Sequence, residues 1–536
     1  MIEGEADRSA EDLARRLEAI VGSGHVLDAP EDLDYYSSDI FERGLLAERV
    51  VRPATPDEVA RVIGACTQAD RAVIPRGAGL SYTGGYLPVR ERSILVDLGR
   101  LNRILEINAE DLYVTVEAGV TWSQLYEALK PLGLRTPYWG TVSGFHATVG
   151  GSLSQGAAHF GCAEFESSAE SCLGLDVVIA DGTLLRTGSA ASKHRPSPFY
   201  RSYGPDLTGL FLNDTGALGF KVRATLRLIP APAHQRFAST AFATLEALLA
   251  AMAETSRRGL AAEIGGWSPE LVRRFESAST DLQEDLKYLA GVLHSGTSLL
   301  AGVWDAAKIA LAGRRDWKGS VFLMHVTIDE MSAAAAEEKL RAVEAIAATH
   351  GGRNIPASYP RAQHGRPFVD LRDAAFSSKK ERSLPTHGLC PHSRAVAVAR
   401  EMYAVFERHA DLMQRHGIDW SLITSIVGRR TTLIEALITY RDPRGPHYAR
   451  IPEGGAHPPH FGEADPRQLQ TLREIRGDLN DMFLRHGCAH LQVGKSYPYR
   501  EGREPATFAL LQGMKRLVDP KGLVNPGSLG LAPPAP

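Results

Sequence analysis

The sequence predicts an α+β fold of more than one domain, and three observations carry that reading. The chain has 536 residues, more than one hydrophobic core usually serves. Residues 50 to 230 alternate short apolar strands with short helices. From about residue 234 to 490, long Ala/Leu/Glu segments are interleaved with short strands, the mark of a second α+β domain.

Each element follows from local chemistry. Val50 and Val51 form a strand that leads into Thr55, Pro56, Asp57 and Glu58. Thr55 and Glu58 have capping-box spacing, and Pro56 sits where a first-turn proline is tolerated, so a helix runs to about Ala69. Ala72-Val73-Ile74, SILVDL and YVTVEAG are further strands, and Thr121 with Gln124 caps the helix WSQLYEALKPLG. Residues 140 to 161 are dense in small side chains and pack poorly as a regular element, so backbone approaches something closely there. In LDVVIADGTLLRTG, Asp181-Gly182 joins two strands as a tight hairpin. LTGLFLNDTGALGFKVRATLRLIP reads as helix, Gly-containing turn and long alternating strand. Beyond it, FATLEALLAAMAETSRRG and AAAAEEKLRAVEAIAATHGG read as helices and VFLMHVTI as a strand. ATFALLQGMKRLVDPKGLVNPGSLG is a helix followed by an extended Pro/Gly-rich tail. No internal repeat or low-complexity segment is present.

Composition narrows the function. Hydrophobic residues make up 44% and charged residues 23%, as in an ordinary globular protein. The formal net charge of -3 leaves no basic excess to neutralise a phosphate backbone, which argues against nucleic acid as a partner. Cys66, Cys162, Cys172, Cys390 and Cys488 form no CxxC pair and are odd in number, which suits a reducing compartment and opposes a disulfide framework or a zinc-thiolate site. The acidic, amphipathic start lacks an export signal, and no stretch approaches the roughly 20 apolar residues that span a bilayer, so a cytoplasmic setting is expected.

The loop PRGAGLSYTGG, residues 75 to 85, lies between two strands. Its glycines let consecutive backbone N–H groups converge into an anion nest, although a Gly-rich connection with no ligand would look the same. The spacing is neither GxGxxG nor a P-loop, since no GK[ST] closes it.

In chain order, PRGAG followed by GG, then TVGGSLSQG, LGLDVVIADGTLLRTG, DLTGLF with GALGF, and DPKGLVNPG resemble the vanillyl-alcohol oxidase / p-cresol methylhydroxylase superfamily of FAD-linked oxidases. They also resemble its glycolate oxidase and D-lactate dehydrogenase flavoproteins. The resemblance runs over residues 50 to 230 and 490 to 530. It implies a bipartite FAD-binding domain of the p-cresol methylhydroxylase type at 1–233, an inserted α+β cap at 234–490 that covers substrate, and a return to the FAD domain at 491–536. Pro75, Arg76, Gly77, Ala78, Gly79, Leu80 and Ser81 would then cradle the pyrophosphate. Ser143, Thr148, Gly150, Gly151 and Gly156 would line the isoalloxazine and ribityl chain. Gly216, Gly219, Phe220 and Val222 would meet the adenine end, and Asn525 would approach from the tail. Some members tether FAD through a histidine in the first loop. Leu80 and Ser81 stand there, which excludes that link and implies non-covalent FAD, while a tether from the cap stays open.

Three residues match the phenol-oxidising branch of the family: Tyr82, and Tyr499 with Arg500 in SYPYR. Two phenol hydroxyls and a guanidinium around one oxygen would stabilise a phenolate and assist hydride release from its para-benzylic carbon. A loop tyrosine that only packs, and a Tyr-Arg pair on a surface strand, are the plainer readings. His146 stands near the position of that branch's aspartate and is a candidate acid or base, or a structural histidine. His457 and His460 in GGAHPPHFG, with His447 and His490, are candidates for proton abstraction or a flavin tether. The prolines between the first two and the missing acidic ligand weigh against a metal, and a substrate-covering loop explains them equally.

The expected function is an FAD oxidase or dehydrogenase acting on a 4-hydroxyphenyl substrate. A D-2-hydroxy-acid dehydrogenase is the alternative, and a non-redox transferase of the alkylglycerone-phosphate synthase type is a third reading. Dioxygen, a cytochrome or another carrier would take the electrons. The sequence is silent on oligomeric state, and a homo-oligomer stays open.

Overall fold

The computed structural model describes residues 2–194, 196–278, 321–368, 381–441 and 465–531. Strands β1 (Val26–Leu27), β2 (Arg49–Val51), β3 (Val73–Arg76) and β4 (Ile94–Asp97) form a sheet of order β1-β2-β4-β3, parallel except for the β1–β2 pair. The helix Pro56–Gln68 crosses between β2 and β3 and buries Val59, Val62, Ile63 and Cys66. Its cap differs slightly from the expected box. Thr55 accepts from the Glu58 amide at 3.1 Å, but the Glu58 carboxylate takes the amide of Ala54 at 2.7 Å. The full box is realised at Thr121 and Gln124, which start the helix Trp122–Leu129.

A second, antiparallel sheet contains β5 (Ile104–Asn108), β6 (Tyr113–Glu117), β8 (Cys172–Val178), β9 (Leu184–Arg186) and β10 (Phe220–Arg227), in the order β5-β6-β10-β8-β9. The short β7 (Leu134–Arg135) and β11 (Ile229–Pro230) pair with each other. The Asp181-Gly182 turn forms as expected, with the Thr183 amide on the Asp181 carboxylate at 2.8 Å. Two readings are corrected. The small-residue segment contains a helix, Val149–Gln155, whose glycine contacts are its reason: a Cβ on Gly150 would stand 2.6 Å from the Cβ of Ala118. LTGLF forms only the single turn Leu207–Leu210. The C-terminal tail rejoins the first sheet. Val73 donates to Leu523 and Asn525 donates to Val73, both at 2.8 Å, so the first domain is closed by both ends of the chain.

Between these ends lies a seven-stranded antiparallel sheet of β12 (His234–Phe242), β13 (Glu263–Trp267), β14 (Phe322–Glu330), β15 (Arg353–Ile355), β16 (Glu381–Pro391), β17 (Ile418–Val427) and β18 (Thr431–Arg441), in the order β15-β12-β14-β13-β17-β18-β16. Alternation gives it two different faces. Met324, Val326, Ile328, Ile264, Ile434, Ala436 and Ile438 face the helices Leu245–Arg257, Ala333–Thr349, Ala395–His416 and Pro466–Arg485. The opposite face carries His325, Thr327 and Asp329 of β14, with Glu263 opposite Thr327, and His387 of β16 opposite Glu435 of β18. That polar face is turned to the first domain, where buried Arg135 pairs with Asp329 at 2.8 Å; on the helix-bearing side, Arg382, opposite Tyr440, donates to the Ile40 carbonyl at 2.8 Å.

Burial, then the nearby Asp329 charge, raises the Glu263 carboxyl from 4.5 to about 8. The folded state therefore holds a proton that the unfolded chain has released between those values. Glu263 costs nothing below about pH 4.5, and its cost grows as pH rises to about 8. Glu263→Gln is expected to be more stable than the parent by roughly 2–4 kcal/mol at alkaline pH, with the gain fading toward pH 5, as read from denaturation midpoints across pH.

Candidate active site

A cleft of about 250 Å³ opens between the 75–82 loop, the 147–157 segment and the 215–221 turn. Pro75, Arg76, Gly77, Ala78, Gly79, Leu80 and Ser81 all line it, as do Ser143, Thr148, Gly150, Gly151, Gly216 and Gly219. The loop turns its carbonyls outward, where Tyr86 Oη donates to Gly79 at 2.7 Å and the Ile40 amide donates to Ser81 at 3.4 Å. The amides of residues 77–81 donate to no protein acceptor among the described residues. A row of unspent N–H groups at a cleft wall is a nest built for an anion such as a diphosphate.

The loop is held from behind. Buried Asp39 accepts from the amides of Gly84, Phe41 and Glu42 at 2.8, 2.7 and 2.6 Å. The Arg76 guanidinium lies 4.8–4.9 Å from the ring centres of Tyr35, Tyr36 and Tyr86 and donates to the Tyr36 carbonyl. On the facing wall, Lys221 and Asp214 form a buried pair at 2.6 Å, and Asp214 also accepts the amides of Gly216 and Leu218. Leu98 and Ala118 add apolar lining. The orphan amides and the close glycine walls fit FAD, whose diphosphate residues 77–81 would hold.

Four expected contacts lie elsewhere. Phe220 and Val222 point into the hydrophobic core, because on β10 they alternate with Lys221, which does line the cleft. Gly156 ends its helix with φ +64° against Asn213 and does not line the cleft. Asn525 spends its polar atoms on protein: Nδ2 donates to Gly85 and Thr215, and Oδ1 accepts from Lys495. It ties the tail to the back of the loop.

At one end of the cleft stands Tyr82. Its hydroxyl accepts from Gln492 Nε2 at 3.2 Å, and burial pushes the phenol well above its ordinary range, so it keeps a proton to donate. Beside it lies a buried cluster that the sequence reading did not assemble. Arg476, on the helix Pro466–Arg485, donates to the Tyr82 carbonyl at 3.1 Å, and its Nε has no partner among the described residues. Tyr497 accepts the His387 amide at 2.8 Å, and its hydroxyl lies 3.2 Å from His387 Nδ1. Burial lowers His387 to about 3, so the ring is neutral. Its Nε2 must donate to the Leu491 carbonyl at 2.9 Å, which leaves Nδ1 to accept the Tyr497 proton. His490 stacks on Tyr497 at 4.0 Å and donates through Nδ1 to the His387 carbonyl. Glu435 lies 3.7 Å from His387 Nδ1, and burial lifts it to about 7.

The structure does not bring Tyr499 and Arg500 to this cluster. Arg500 is exposed over the Phe508 ring, and Tyr499 packs outward under Arg503. Tyr497 and Arg476 occupy the inner side instead. His146 sits beside the exposed Phe145 and does not line the cleft. His447, His457 and His460 lie outside the described residues. Among the described residues, no group of three or more His, Cys, Asp or Glu is placed to hold a metal ion, and no helix is long and apolar enough to cross a membrane.

Comparison with known proteins places this geometry in a family. Residues 47–188 match the FAD binding domain, and residues 231–529 match the C-terminal domain of FAD linked oxidases. The matched part of the chain spans about half or less of several curated relatives. It spans 53% of an uncharacterised FAD-linked oxidoreductase of Mycobacterium tuberculosis, at 28% identity over 256 residues and 47% of this chain. It spans 38% of a glycolate oxidase subunit of Bacillus subtilis, at 30% identity over 187 residues and 35% of this chain. A probable mitochondrial D-lactate dehydrogenase of Danio rerio is 29% identical over 491 residues, 90% of this chain and 84% of that protein. The structure of p-cresol methylhydroxylase with substrate bound has the same fold at TM-score 0.72 and 18% identity, covering 98% of this chain and 97% of that one. A 4-ethylphenol oxidase from Gulosibacter chungangensis, in an isoeugenol complex, gives the same TM-score and identity, with 98% of each chain covered. The chain belongs to the FAD-linked oxidases and has the bipartite FAD-binding architecture of p-cresol methylhydroxylase, with FAD as its cofactor.

Proposed function

We propose that this oxidoreductase acts on a 4-hydroxyphenyl compound, removing a hydride from its alcohol or benzylic carbon. The supporting observation is Tyr82. Its hydroxyl accepts from Gln492, retains its own proton, and shares a buried cluster with Arg476, Tyr497 and Glu435. A phenol oxygen seated there would take the Tyr82 hydrogen bond and feel the Arg476 charge, both of which favour the phenolate. The substrate proton would pass to Glu435, which at about 7 is balanced between its two forms near neutrality. That transfer keeps one negative charge in the pocket, so no additional ion is desolvated. FAD, when bound, supplies the two-electron acceptor for the hydride.

A D-2-hydroxy acid is the second reading, supported by the long match to the Danio rerio protein. Arg476 would then hold the carboxylate, and Glu435 would take the hydroxyl proton.

Anaerobic mixing of the FAD-loaded protein with vanillyl alcohol, 4-alkylphenols, D-lactate and glycolate, followed by flavin absorbance, decides between the two. Bleaching by the phenols is expected, and bleaching by the hydroxy acids alone would overturn the phenolic reading. Identification of the organic product separates oxidation from a transferase reaction. Tyr82→Phe removes one hydrogen bond to a charged oxygen and is expected to slow reduction by phenols about 10- to 100-fold. Arg500→Ala, on the exposed side, is expected to stay within about twofold of the parent. An unimpaired phenylalanine variant would remove the role given to Tyr82.

A further inference from the structure

We propose that Cys390 and Cys488 are a redox modification site: a cross-strand thiol pair that closes to a disulfide and staples β16 to the segment carrying His490 and Gln492. The pair is far apart in sequence, and the backbone brings it together. Leu389 and Ala489 form an isolated antiparallel bridge and exchange both amide hydrogen bonds, at 2.7 and 2.9 Å. In an antiparallel ladder the next position is a non-hydrogen-bonded pair, with Cα atoms about 4.5 Å apart and side chains on one face. That next position is Cys390 opposite Cys488. A disulfide takes Cα separations of about 4.4–6.8 Å, so closure needs little backbone movement.

The side chains agree with the backbone. The two thiols are close enough to interact, and both are buried, Cys390 at 1% exposure and Cys488 at 7%; the Cys390 thiol also donates to the Thr432 carbonyl at 3.6 Å. The backbone at Gly388 lies close beside them, since a Cβ there would stand 3.0 Å from the Cβ of Cys488.

The chemistry requires a two-electron oxidant, here a hydroperoxide. Cys488 is the more exposed residue of the pair, and the neighbouring Cys390 thiol, which holds its own proton, favours the Cys488 thiolate. The Cys488 thiolate would attack the peroxide oxygen, breaking the O–O bond to give a sulfenic acid and water from hydrogen peroxide. The Cys390 sulfur would then displace water from it to form the S–S bond. Overall, two thiols and one hydrogen peroxide become one disulfide and two waters. The bridge would fix the connection between His387 on β16 and His490, whose Nδ1 donates to the His387 carbonyl at 2.8 Å.

The test uses native, FAD-loaded, full-length protein treated with hydrogen peroxide, alkylated and mapped by peptide mass spectrometry. The expected product is one linked pair of peptides carrying residues 390 and 488, lighter by two hydrogens and restored by dithiothreitol. Amide exchange at 488–491 is expected to slow in the oxidised protein, and Cys390→Ser should abolish the link. If the two thiols remain separately alkylated, if the link forms only after unfolding, or if either cysteine bonds to a different partner, the proposal fails. The measurement involves no substrate, so it stands or falls apart from the phenolic reading.

Discussion

Gly79→Val is expected to yield folded but colourless protein, with FAD affinity lowered by about 100-fold or more. Gly79 has φ +71°, a conformation costly for a β-branched residue, and its added Cβ would fall upon the Arg76 guanidinium. That guanidinium cannot swing aside, because three tyrosine rings and backbone carbonyls enclose it. The strain must therefore be relieved by moving the loop, which takes the amides of residues 77–81 out of register with one another. Roughly 3 kcal/mol of strain and lost hydrogen bonding corresponds to about two decades in Kd. Flavin absorbance per protein after reconstitution, with circular dichroism to confirm folding, reads the effect. A variant that binds FAD with the parent's stoichiometry and affinity would show that the cradle lies elsewhere.

What the sequence revealed, and what it hid, follows from how local each signal is. The 75–85 loop, the Thr121 cap and the Asp181-Gly182 hairpin are set by neighbours within a few residues, so residue type and spacing suffice. Arg476 and Glu435 were hidden for a different reason. Glu435 is the polar position of an alternating strand and Arg476 lies on an amphipathic helix, so each reads alone as facing water. Glu435 is covered where the polar face of the seven-stranded sheet meets the first domain, and Arg476 where its helix meets the Tyr82 loop, relations that period alone does not encode. The misplacement of Tyr499 and Arg500 has a third cause. Residues 490–500 are irregular turns rather than strand or helix, so no periodicity says whether Tyr497 or Tyr499 points inward. Asn525 falls between these cases: the family motif around it was legible and implied an approach to the flavin, but its use as a tether between Gly85 and Thr215 depends on contacts remote in sequence.

Glu435→Gln tests the chemical core of the proposed function, because proton removal from the substrate oxygen is common to phenols and 2-hydroxy acids. Glutamine keeps the size and polarity but cannot accept the proton, so substrate-driven flavin reduction is expected to slow by about 10²–10⁴-fold. Desolvation raises the carboxyl from 4.5 to about 7, and only the ionised form can act as acceptor. The parent's reduction rate should therefore rise with pH through about 7 and level off above it, while the variant shows no such rise. The stability trend runs in the opposite sense. Ionising a buried carboxyl costs the folded state, so the glutamine variant should gain stability over the parent as pH climbs from 4.5 to about 7. A carboxylate that was merely structural would show the stability trend without the kinetic one. Loss of the pH-dependent rise together with a gain in alkaline stability is the combination that identifies Glu435 as the proton acceptor. Parent-like rates in the variant across the whole pH range would exclude that role, whatever the substrate.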